Sequence, residues 1–596
     1  AEVAHGSTPE EVRDIIISTV EQIGTTGVTA EEVSRARQQI LKQRELAAND
    51  TAALGRSLSE WVAQGDWRLY CLHRDYIEQV TPEAVKVAAA HYLQRNNRTV
   101  GMFIPTEKAE RVAVPPTQDI AALVSNYKGR AAIAEGEIFE ATPENIEARV
   151  QRSELAEGIK VTLMPKKTRG QEAHLLLTLR YGNEDNLKNF ESAAGFLPEL
   201  MLRGTKKLSH QQLRDELDRL SANLSAGAGG GGRRGGGRRG GGGAPAGAGS
   251  VTFSIQAKRD TLPAVIEILG QVLREPLLPA KDFEVLKSER LAAIEQMRTE
   301  PGMLAPRLLQ RELNPYSKDD IRYVTTVDES IERLKNVEYE QVAQLYKEYL
   351  GSQAGELTIV GDFDSKQCLP ILERALTGWK ATKPYARIAM PISGDLKGGE
   401  HQIRTPDKAN ATYTAGLLFP LRDDDPDYPA LVVGNYILGA STLSSRLGDR
   451  IRQKEGLSYG VSSGLSVSSQ DKRAGLTITA ICNPQNISRV EKCAQEEIER
   501  LLRDGVTKEE LENARQGYLQ GQKVARASDV ALAGILTNFR HLGRTMAFEA
   551  DVEKRINGLT VEQVNAALRK YIDPKKLVIV TAGDFETKVV EGGGGV

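Results

Sequence analysis

Three segments of the chain change in the same way from a helical pattern of apolar residues to a β-branched run. In each segment a valine precedes a tyrosine by seven residues, a spacing that places both side chains on one face of an α-helix. The pairs are Val85 and Tyr92, Val342 and Tyr349, and Val564 and Tyr571. The runs TVGMFI, LTIVGDF and LVIVTAGDF follow these helices, and their β-branched residues predict strands. The pattern therefore predicts a helix that leads into a strand at three places.

A second repeat joins the first and the last of these segments. Residues 27–45 are GVTAEEVSRARQQILKQRE, and residues 505–523 are GVTKEELENARQGYLQGQK. Thr29 and Thr507 can each cap a helix whose first turn carries two glutamates. Aligning the two copies places Ala1 in the middle of a domain, so we expect the front part of that domain to be absent from this sequence.

The spacing of the repeats predicts the domain organisation. The three tyrosines lie 257 and 222 residues apart, which leaves room for two complete domains and the back part of a third. Two adjacent prolines stiffen the segment that joins the partial domain to the next one. The predicted parts are a truncated domain at 1–112, a linker at 113–150, a domain at 151–375 and a C-terminal domain at 385–590.

A glycine- and arginine-rich run interrupts the domain at 151–375. Residues 227–249 are GAGGGGRRGGGRRGGGGAPAGAG, which cannot bury apolar surface. We expect a disordered insertion or a flexible loop. Its four arginines resemble Arg-Gly tails that contact phosphates, but a single tract in a nearly neutral chain favours a solvated loop.

Composition restricts the class of protein. The 596 residues are 40% hydrophobic and 27% charged, values typical of soluble globular domains, with room for about four of them. The net charge of −2 argues against a nucleic-acid-binding protein, and no apolar run is long enough to span a membrane. The residues at 1–12 do not have the pattern of a signal peptide. The four cysteines are scattered without metal-ligand spacing, which favours buried free thiols.

One helix resembles the metal-binding helix of a known peptidase family. Residues 194–205 are AGFLPELMLRGT, close to AHFLEHMLFKGT in the insulinase/pitrilysin family of zinc metallopeptidases, the inverzincins. There, H-x-x-E-H supplies two zinc ligands and a general base. In this chain the three places hold Gly195, Pro198 and Glu199. The surrounding frame fits the family at Phe196, Leu197, Met201, Gly204 and Thr205, and the segments RYGNEDN (180–186) and LSANLSA (220–226) are also family-like.

The resemblance therefore predicts a domain that has lost its catalytic metal site. No two of the seven histidines have i,i+3 or i,i+4 spacing. The carboxylate that completes the family's zinc site corresponds to Glu289, with Glu284 as the alternative, and we expect either to be a surface carboxylate. Pro198 removes a backbone donor, so we expect a kinked or shortened helix. Zn²⁺ belongs to the complete family enzyme, and we expect this chain to bind none.

A second resemblance predicts a substrate-binding pair. Residues 441–460 are STLSSRLGDRIRQKEGLSYG, and in the family this pattern places an arginine and a tyrosine, seven residues apart, on the substrate. The corresponding residues are Arg452 and Tyr459. The structural alternative is an arginine at a helix end that pairs with Glu455 or Asp449, and a tyrosine that begins a strand.

The resemblance implies an α+β fold, with repeated domains of mostly antiparallel sheet that carry helices on one face. Two such domains pair into a bowl-shaped half of a peptidase chamber. The implied function is the non-catalytic, substrate-binding half of a zinc metallopeptidase that encloses unfolded peptides, partnered by an upstream catalytic half or a catalytic subunit. The alternative is a non-enzymatic scaffold or peptide-binding subunit, like the core proteins of the respiratory bc1 complex.

Overall fold

Two compact units make up the chain. The structure is a computed structural model that describes residues 8–49, 51–101, 135–155, 158–229, 249–394, 396–441 and 444–585. The first unit contains residues 1–136, 168–172 and 212–223, and the second contains residues 137–167, 173–211 and 224–596. Residues 113–134 of the predicted linker and residues 230–248 of the predicted insertion lie outside the described residues.

The first unit begins with a series of helices. They are α1 (Pro9–Thr26), α2 (Ala30–Asn49), α3 (Thr51–Ala63), α4 (Arg68–Glu78) and α5 (Pro82–Tyr92). Helix α1 packs along α5, and α2, α3 and α4 pack together. The guanidinium carbon of Arg44 lies 5.6 Å from the ring centroid of Trp61 and 4.8 Å from that of Tyr70, so one cation on α2 attracts rings from both α3 and α4.

The strand predicted after α5 is not present in the described part of this segment. A 3₁₀ turn at Arg95–Asn97 follows the helix, and residues 98–101 do not pair in a sheet. Residues 102–104, the rest of the predicted strand, lie outside the described residues.

The chain between residues 143 and 376 forms a six-stranded sheet and its helices. Its strands lie in the order β1-β2-β6-β3-β5-β4, and β2 and β6 are parallel while β1–β2 and β3–β6 are antiparallel. The strands are β1 (Gln151–Glu154), β2 (Ile159–Pro165), β3 (Glu172–Arg180), β4 (Asn223–Ala228), β5 (Ser250–Lys258) and β6 (Gly355–Gly361). The helices are α6 (Pro143–Arg149), α7 (Glu191–Ala194), α8 (Leu197–Met201), α9 (His210–Arg219), α10 (Leu262–Arg274), α11 (Ala280–Gln296), α12 (Pro301–Leu313), α13 (Val327–Lys335), α14 (Tyr339–Gln344) and α15 (Ser365–Leu376).

The chain between residues 399 and 583 forms a five-stranded sheet and its helices. The order is β7-β11-β8-β10-β9, with β7 and β11 parallel and the other pairs antiparallel. The strands are β7 (Gly399–Arg404), β8 (Ala411–Phe419), β9 (Ser458–Val467), β10 (Ala474–Cys482) and β11 (Val578–Gly583). The helices are α16 (Tyr428–Asn435), α17 (Ile487–Asp504), α18 (Lys508–Ala527), α19 (Asp529–Leu542), α20 (Ala547–Asn557) and α21 (Val561–Tyr571).

The two sheets share one strand order once β1 is set aside, because 2-6-3-5-4 in the first corresponds to 7-11-8-10-9 in the second. The second strand of this shared order, β6 or β11, follows the helical segment that carries the predicted valine–tyrosine pair, as the pattern predicts; Tyr349 ends a π-helical turn (Leu345–Tyr349) that continues α14. Val342 and Val564 are fully buried. The Tyr349 hydroxyl donates to the carbonyl of Asn186, and the Tyr571 hydroxyl donates to Asp427. The predicted α+β class is confirmed.

Each sheet is also covered by a helix that belongs, in sequence, with the other sheet. Helix α12 packs on β8 and β11, where Leu309 and Val580 lie in one apolar cluster. Helix α19 packs on β2 and β6, where Leu536 lies in one cluster with Val360. The Thr537 hydroxyl on α19 also donates to the Thr358 hydroxyl on β6 at 2.8 Å. Each sheet therefore relies on a helix from the other segment to cover part of its apolar face.

Two local features complete the description of the fold. Residues 143–149 lie within the predicted linker, but they form α6, and the fully buried Ile146 joins the cluster under α19. The cysteines are free, with Cys368, Cys482 and Cys493 buried and Cys71 partly buried. No helix in the described ranges is long and apolar enough to cross a membrane.

Candidate functional site

The helix that resembles a metal-binding helix is broken in two. Helix α7 ends at Ala194, and α8 starts at Leu197 with Pro198 in its first turn. Gly195 and Phe196 keep right-handed helical dihedral angles between them. Because proline has no N–H, it is tolerated in a first turn but cannot continue a helix as a donor. The interruption predicted from Pro198 is present.

An arginine stands where a side chain at position 195 would project. Arg290, on α11, donates from its Nη2 to the Gly195 carbonyl at 2.8 Å and forms an ion pair with Glu199 at 3.0 Å. Its guanidinium carbon lies 4.0 Å from the ring centroid of Phe196. A Cβ atom added at Gly195 would stand 2.9 Å from the Arg290 Nη1. Any larger residue at 195 would therefore displace this guanidinium.

The residues at this helix do not fit a zinc ion. Gly195 and Pro198 offer no ligand atom, and Glu199 faces a cation that would repel a metal. Glu289 and Glu284, the candidates for the completing carboxylate, are both exposed on α11. Within the ranges that the structure covers, no group of three or more His, Cys, Asp or Glu side chains is placed to hold a metal ion. Sequence reasoning missed Arg290, because only the fold brings α11 against α7 and α8.

The second candidate site begins on an irregular helical turn. Arg452 lies in a π-helical segment at Gly448–Lys454, and Tyr459 is the second residue of β9. Gly456 turns the chain between them with a φ of +62°, a value that favours glycine. The N–H of Leu457 then bonds to the carbonyl of the fully buried Ile451 at 2.9 Å. These contacts fix the turn that carries both candidate side chains.

A β-bulge lies at Tyr459. Cys482 on β10 pairs with Ser458, whereas its neighbour Ile481 pairs with Gly460, so Tyr459 is the extra residue on β9. The Ser458 hydroxyl anchors the bulge by donating to the Ile481 carbonyl at 2.7 Å. Burial raises the pKa of the adjacent Cys482 thiol to about 11, so the thiol stays neutral at physiological pH. Bulges re-aim side chains and occur frequently beside functional sites. The Tyr459 side chain is 80% exposed.

Arg452 and Tyr459 are both surface side chains. Both are exposed, and in the described residues neither forms a hydrogen bond or an ion pair. The carboxylates proposed as alternative partners for Arg452 are taken by other cations. Glu455 pairs with Arg450 at 2.8 Å and with Arg489 at 2.9 Å. Asp449 likewise pairs with Lys454 at 2.7 Å.

Comparison with known proteins matches this part of the chain to a family. Residues 336–518, which include both candidate substrate-binding residues, match the family described as "Peptidase M16 inactive domain". A protein of Helicobacter pylori named "Non-peptidase homolog YmxG" is 22% identical over 68% of this chain and 88% of its own length. An uncharacterized zinc protease of Streptomyces coelicolor is 23% identical over 65% of this chain and 80% of its own length.

Solved structures share the fold. The peptidase M16 inactive domain from Pseudomonas fluorescens superposes with a TM-score of 0.60 at 23% identity, covering 73% of this chain and 98% of that one. The periplasmic protease PqqL from Escherichia coli superposes with a TM-score of 0.57 at 15% identity and covers 96% of this chain, which spans 63% of that protease. Residues 336–518 therefore match the M16 peptidase inactive domain, and the chain as a whole shares the fold of these M16 structures.

Proposed function

We propose that this chain is the non-catalytic half of an M16 zinc peptidase and that Arg452 and Tyr459 hold the peptide substrate. The observation that carries the proposal is that both side chains are exposed and form no hydrogen bond or ion pair within the described residues. The charged side chains around them are paired, Asp449 with Lys454 and Glu455 with Arg450. An unpaired arginine beside a bulged tyrosine is therefore suited to an external ligand.

The chemistry of the two side chains suits a peptide bond. A guanidinium carries five N–H donors and stays charged, so it can bond to a peptide carbonyl at any physiological pH. A phenol can donate to the oxygen that gains negative charge when the carbonyl is attacked. The metal and the general base would belong to a catalytic half, since Gly195, Pro198 and Glu199 supply neither.

The layout of a related protease supports a fused enzyme. The superposition with PqqL covers 96% of this chain but only 63% of that protease. A protease of that length therefore contains a further segment, which could be a catalytic half. We infer that the partner is an upstream catalytic half of the same polypeptide, or else a separate catalytic subunit, and that the two enclose unfolded peptides.

A second candidate function is a non-enzymatic scaffold or peptide-binding subunit, like the core proteins of the respiratory bc1 complex. It is favoured by the relative named as a non-peptidase homolog. The two candidates differ in one feature. The peptidase requires an H-x-x-E-H helix, either upstream in the same polypeptide or in a subunit that copurifies, whereas the scaffold does not. Metal-dependent peptide cleavage by the complete assembly decides for the peptidase.

Peptide binding to the chain tests the assigned pair. The probe is a fluorescein-labelled unfolded casein peptide, followed by fluorescence anisotropy. We expect Arg452→Ala to weaken binding at least tenfold, because about 1.4 kcal/mol of a charge-assisted hydrogen bond corresponds to that factor. Tyr459→Phe is expected to lower turnover in the complete enzyme by about 10²–10³, the usual effect of losing one oxyanion donor.

Two matched controls accompany these variants. Arg489→Ala removes an exposed arginine that pairs with Glu455, and Tyr76→Phe removes the hydroxyl of another exposed tyrosine. Neither control should change binding or turnover. Wild-type binding and turnover in the Arg452→Ala, Tyr459→Phe double variant would assign the pair a structural role and refute the proposal.

The metal content of the chain tests the assignment of the catalytic half. We expect elemental analysis after dialysis to find far less than one zinc per chain, because Arg290 occupies the space beside Gly195. Stoichiometric zinc that is lost in a Glu199→Gln variant would show that the helix is a functioning metal site.

A further inference from the structure

A cavity of about 410 Å³ lies beside the second sheet, away from Arg452 and Tyr459. It is bounded by α16 and the π-helical turn that continues it, by the end of β9, and by α18 and α19. This volume falls within the range of pockets that hold small ligands. Leu465 of β9 lines the cavity and lies six residues beyond Tyr459, a distance of about 20 Å along a strand.

The described wall of the cavity carries carboxylates but no lysine or arginine side chain. Asp423 and Glu549 both line it. The charge of Asp423 is neutralised by Arg544, which donates two hydrogen bonds of 2.7 Å to its carboxylate. Glu549 lies 3.9 Å from Arg526, whose nearer carboxylate partner is Glu553 at 2.6 Å. One guanidinium is thus shared by two carboxylates, and the cavity disfavours anions.

Aromatic rings make up much of the remaining wall. Tyr428, Tyr436, Tyr518 and Phe539 all line the cavity. Aromatic rings attract ammonium and guanidinium groups, most strongly where water is excluded. The Tyr436 hydroxyl packs against Gly517 of α18, where an added Cβ atom would stand 2.5 Å from it.

A buried amide supplies the second kind of contact. Asn435, on α16, is only 9% exposed and lines the cavity. Its Oδ1 accepts a hydrogen bond of 2.7 Å from the Ser463 hydroxyl, which fixes the amide. Its Nδ2 has no acceptor among the residues that the structure describes. This nitrogen is not among the fully buried side-chain atoms without a partner, so it is accessible and can donate to an acceptor that arrives with the ligand, such as a peptide carbonyl.

We propose that this cavity binds a lysine or arginine residue of the bound peptide, at a second contact point about 20 Å along β9 from Tyr459. The carbonyl of the basic residue accepts from Asn435 Nδ2, and its cationic side chain meets the aromatic rings and Glu549. The proposal rests on the proposed peptide-holding function. It adds a preference for basic residues at a fixed spacing from the bond held by Arg452 and Tyr459.

The test uses single-residue probes that are too short to reach Arg452 or Tyr459. The probes are N-acetyl-lysine methylamide and its norleucine and glutamate counterparts, which share a backbone and differ in charge. Binding to the full chain is measured by saturation-transfer NMR and by calorimetry. We expect the lysine compound to bind at least tenfold more tightly than the norleucine compound, and the glutamate compound not to bind.

A paired substitution on α18 supplies the specific control. Gln522 lines the cavity, whereas Gln520 is exposed two residues away and does not line it. Gln522→Arg should reduce binding of the lysine compound at least tenfold, because it places a like charge in the cavity. Gln520→Arg adds the same charge to the same helix and should leave binding unchanged. The melting temperature of each variant confirms that the fold is intact.

The outcomes separate this proposal from the proposed function. Equal binding of the lysine and norleucine compounds, absence of binding by both, or full binding in Gln522→Arg would each overturn the cavity assignment. Arg452→Ala should leave binding of the lysine compound unchanged while it weakens binding of the long peptide. Unchanged long-peptide binding in Arg452→Ala, with intact binding of the lysine compound, would count against the Arg452–Tyr459 pair and not against the cavity.

Discussion

Helices α1–α5 of the first unit correspond one by one to helices α17–α21 of the second unit. The two groups differ in how much of their apolar surface is buried. The matched sequences at 27–45 and 505–523 lie on α2 and α18. In the second unit α17 packs on β8 and β10. In the first unit, the described residues between 8 and 101 contain α1–α5 and no strand against which these helices could pack.

The local geometry of the two regions is nearly identical. Gly27 and Gly505 end α1 and α17 with φ angles of +78° and +77°. Each glycine faces the same helix of its own group, since the nearest side chain to its missing Cβ is Lys86 on α5 or Asn565 on α21. Short-range sequence therefore determines where these helices begin, end and turn.

The degree of burial separates the regions. Ile15 on α1 is 66% exposed, whereas Cys493, the corresponding residue on α17, is 5% exposed. Ile16 and Ala494 show the same contrast, at 45% and 0%. Helical caps and turns thus form without a sheet, but an apolar helix face becomes a core only where strands cover it.

The largest change in stability is expected when a lysine replaces a residue on the helix face that is buried in α17 but exposed in α1. Cys493→Lys should destabilise the second unit by several kcal/mol, because the ammonium would lose its hydration next to Arg450. Ile15→Lys should change stability by no more than about 0.5 kcal/mol, as for other surface substitutions. Urea unfolding followed by hydrogen exchange of α1 and α17 measures both. A comparable loss at Ile15 would show that a covering surface exists there.

An intermediate effect is expected from alanine at the two glycines. Both glycines combine a positive φ with ψ angles of −166° and −171°, a region that is almost confined to glycine and costs other residues about 1–3 kcal/mol, so Gly27→Ala and Gly505→Ala should both destabilise their units. Gly505→Ala should cost more, because its Cβ would stand 2.4 Å from the Asn565 amide, which is fixed by a bond from the Val506 N–H. At Gly27 the nearest atom belongs to flexible Lys86, at 3.3 Å. Equal losses in thermal unfolding would contradict this ranking.

The smallest effect is expected at the helix caps, where the regions agree. The Thr29 hydroxyl accepts from the Glu32 N–H at 3.2 Å, and the Thr507 hydroxyl accepts from the Glu510 N–H at 3.1 Å. Thr29→Ala and Thr507→Ala should each cost about 1 kcal/mol. Hydrogen exchange at the first turn of α2 and α18 reports the loss, and serine at either position should restore protection. A loss at only one helix would show that its cap depends on tertiary contacts.

The same division explains what could be predicted from the sequence. The helical segments that end at Tyr349 and Tyr571, the strands that follow them and the break at Pro198 all depend on residues close together in the chain. The α+β class follows from these elements. The predicted strand after Tyr92 is the exception, since its described residues do not pair in a sheet.

The remaining features depend on contacts between distant residues. Nothing near Arg290 in the sequence shows that its guanidinium bonds to Gly195, which lies 95 positions earlier. The bulge at Tyr459 arises from its register with Cys482, and the cavity arises where four elements meet. Arg452 and Tyr459 were found through a family pattern, whereas Asn435 had no comparable signal. The substrate role of the first two stays a prediction.

The exchange of α12 and α19 between the sheets has a consequence for how the second unit folds. Neither sheet can complete its apolar cluster until the segment from the other sheet has been made, so the last helices stabilise strands formed early in the chain. A cut near residue 385 would leave Val360 and Val580 each without the helix that covers it. The two sheets should therefore melt in one transition, and separately expressed fragments should regain a stable fold only when mixed.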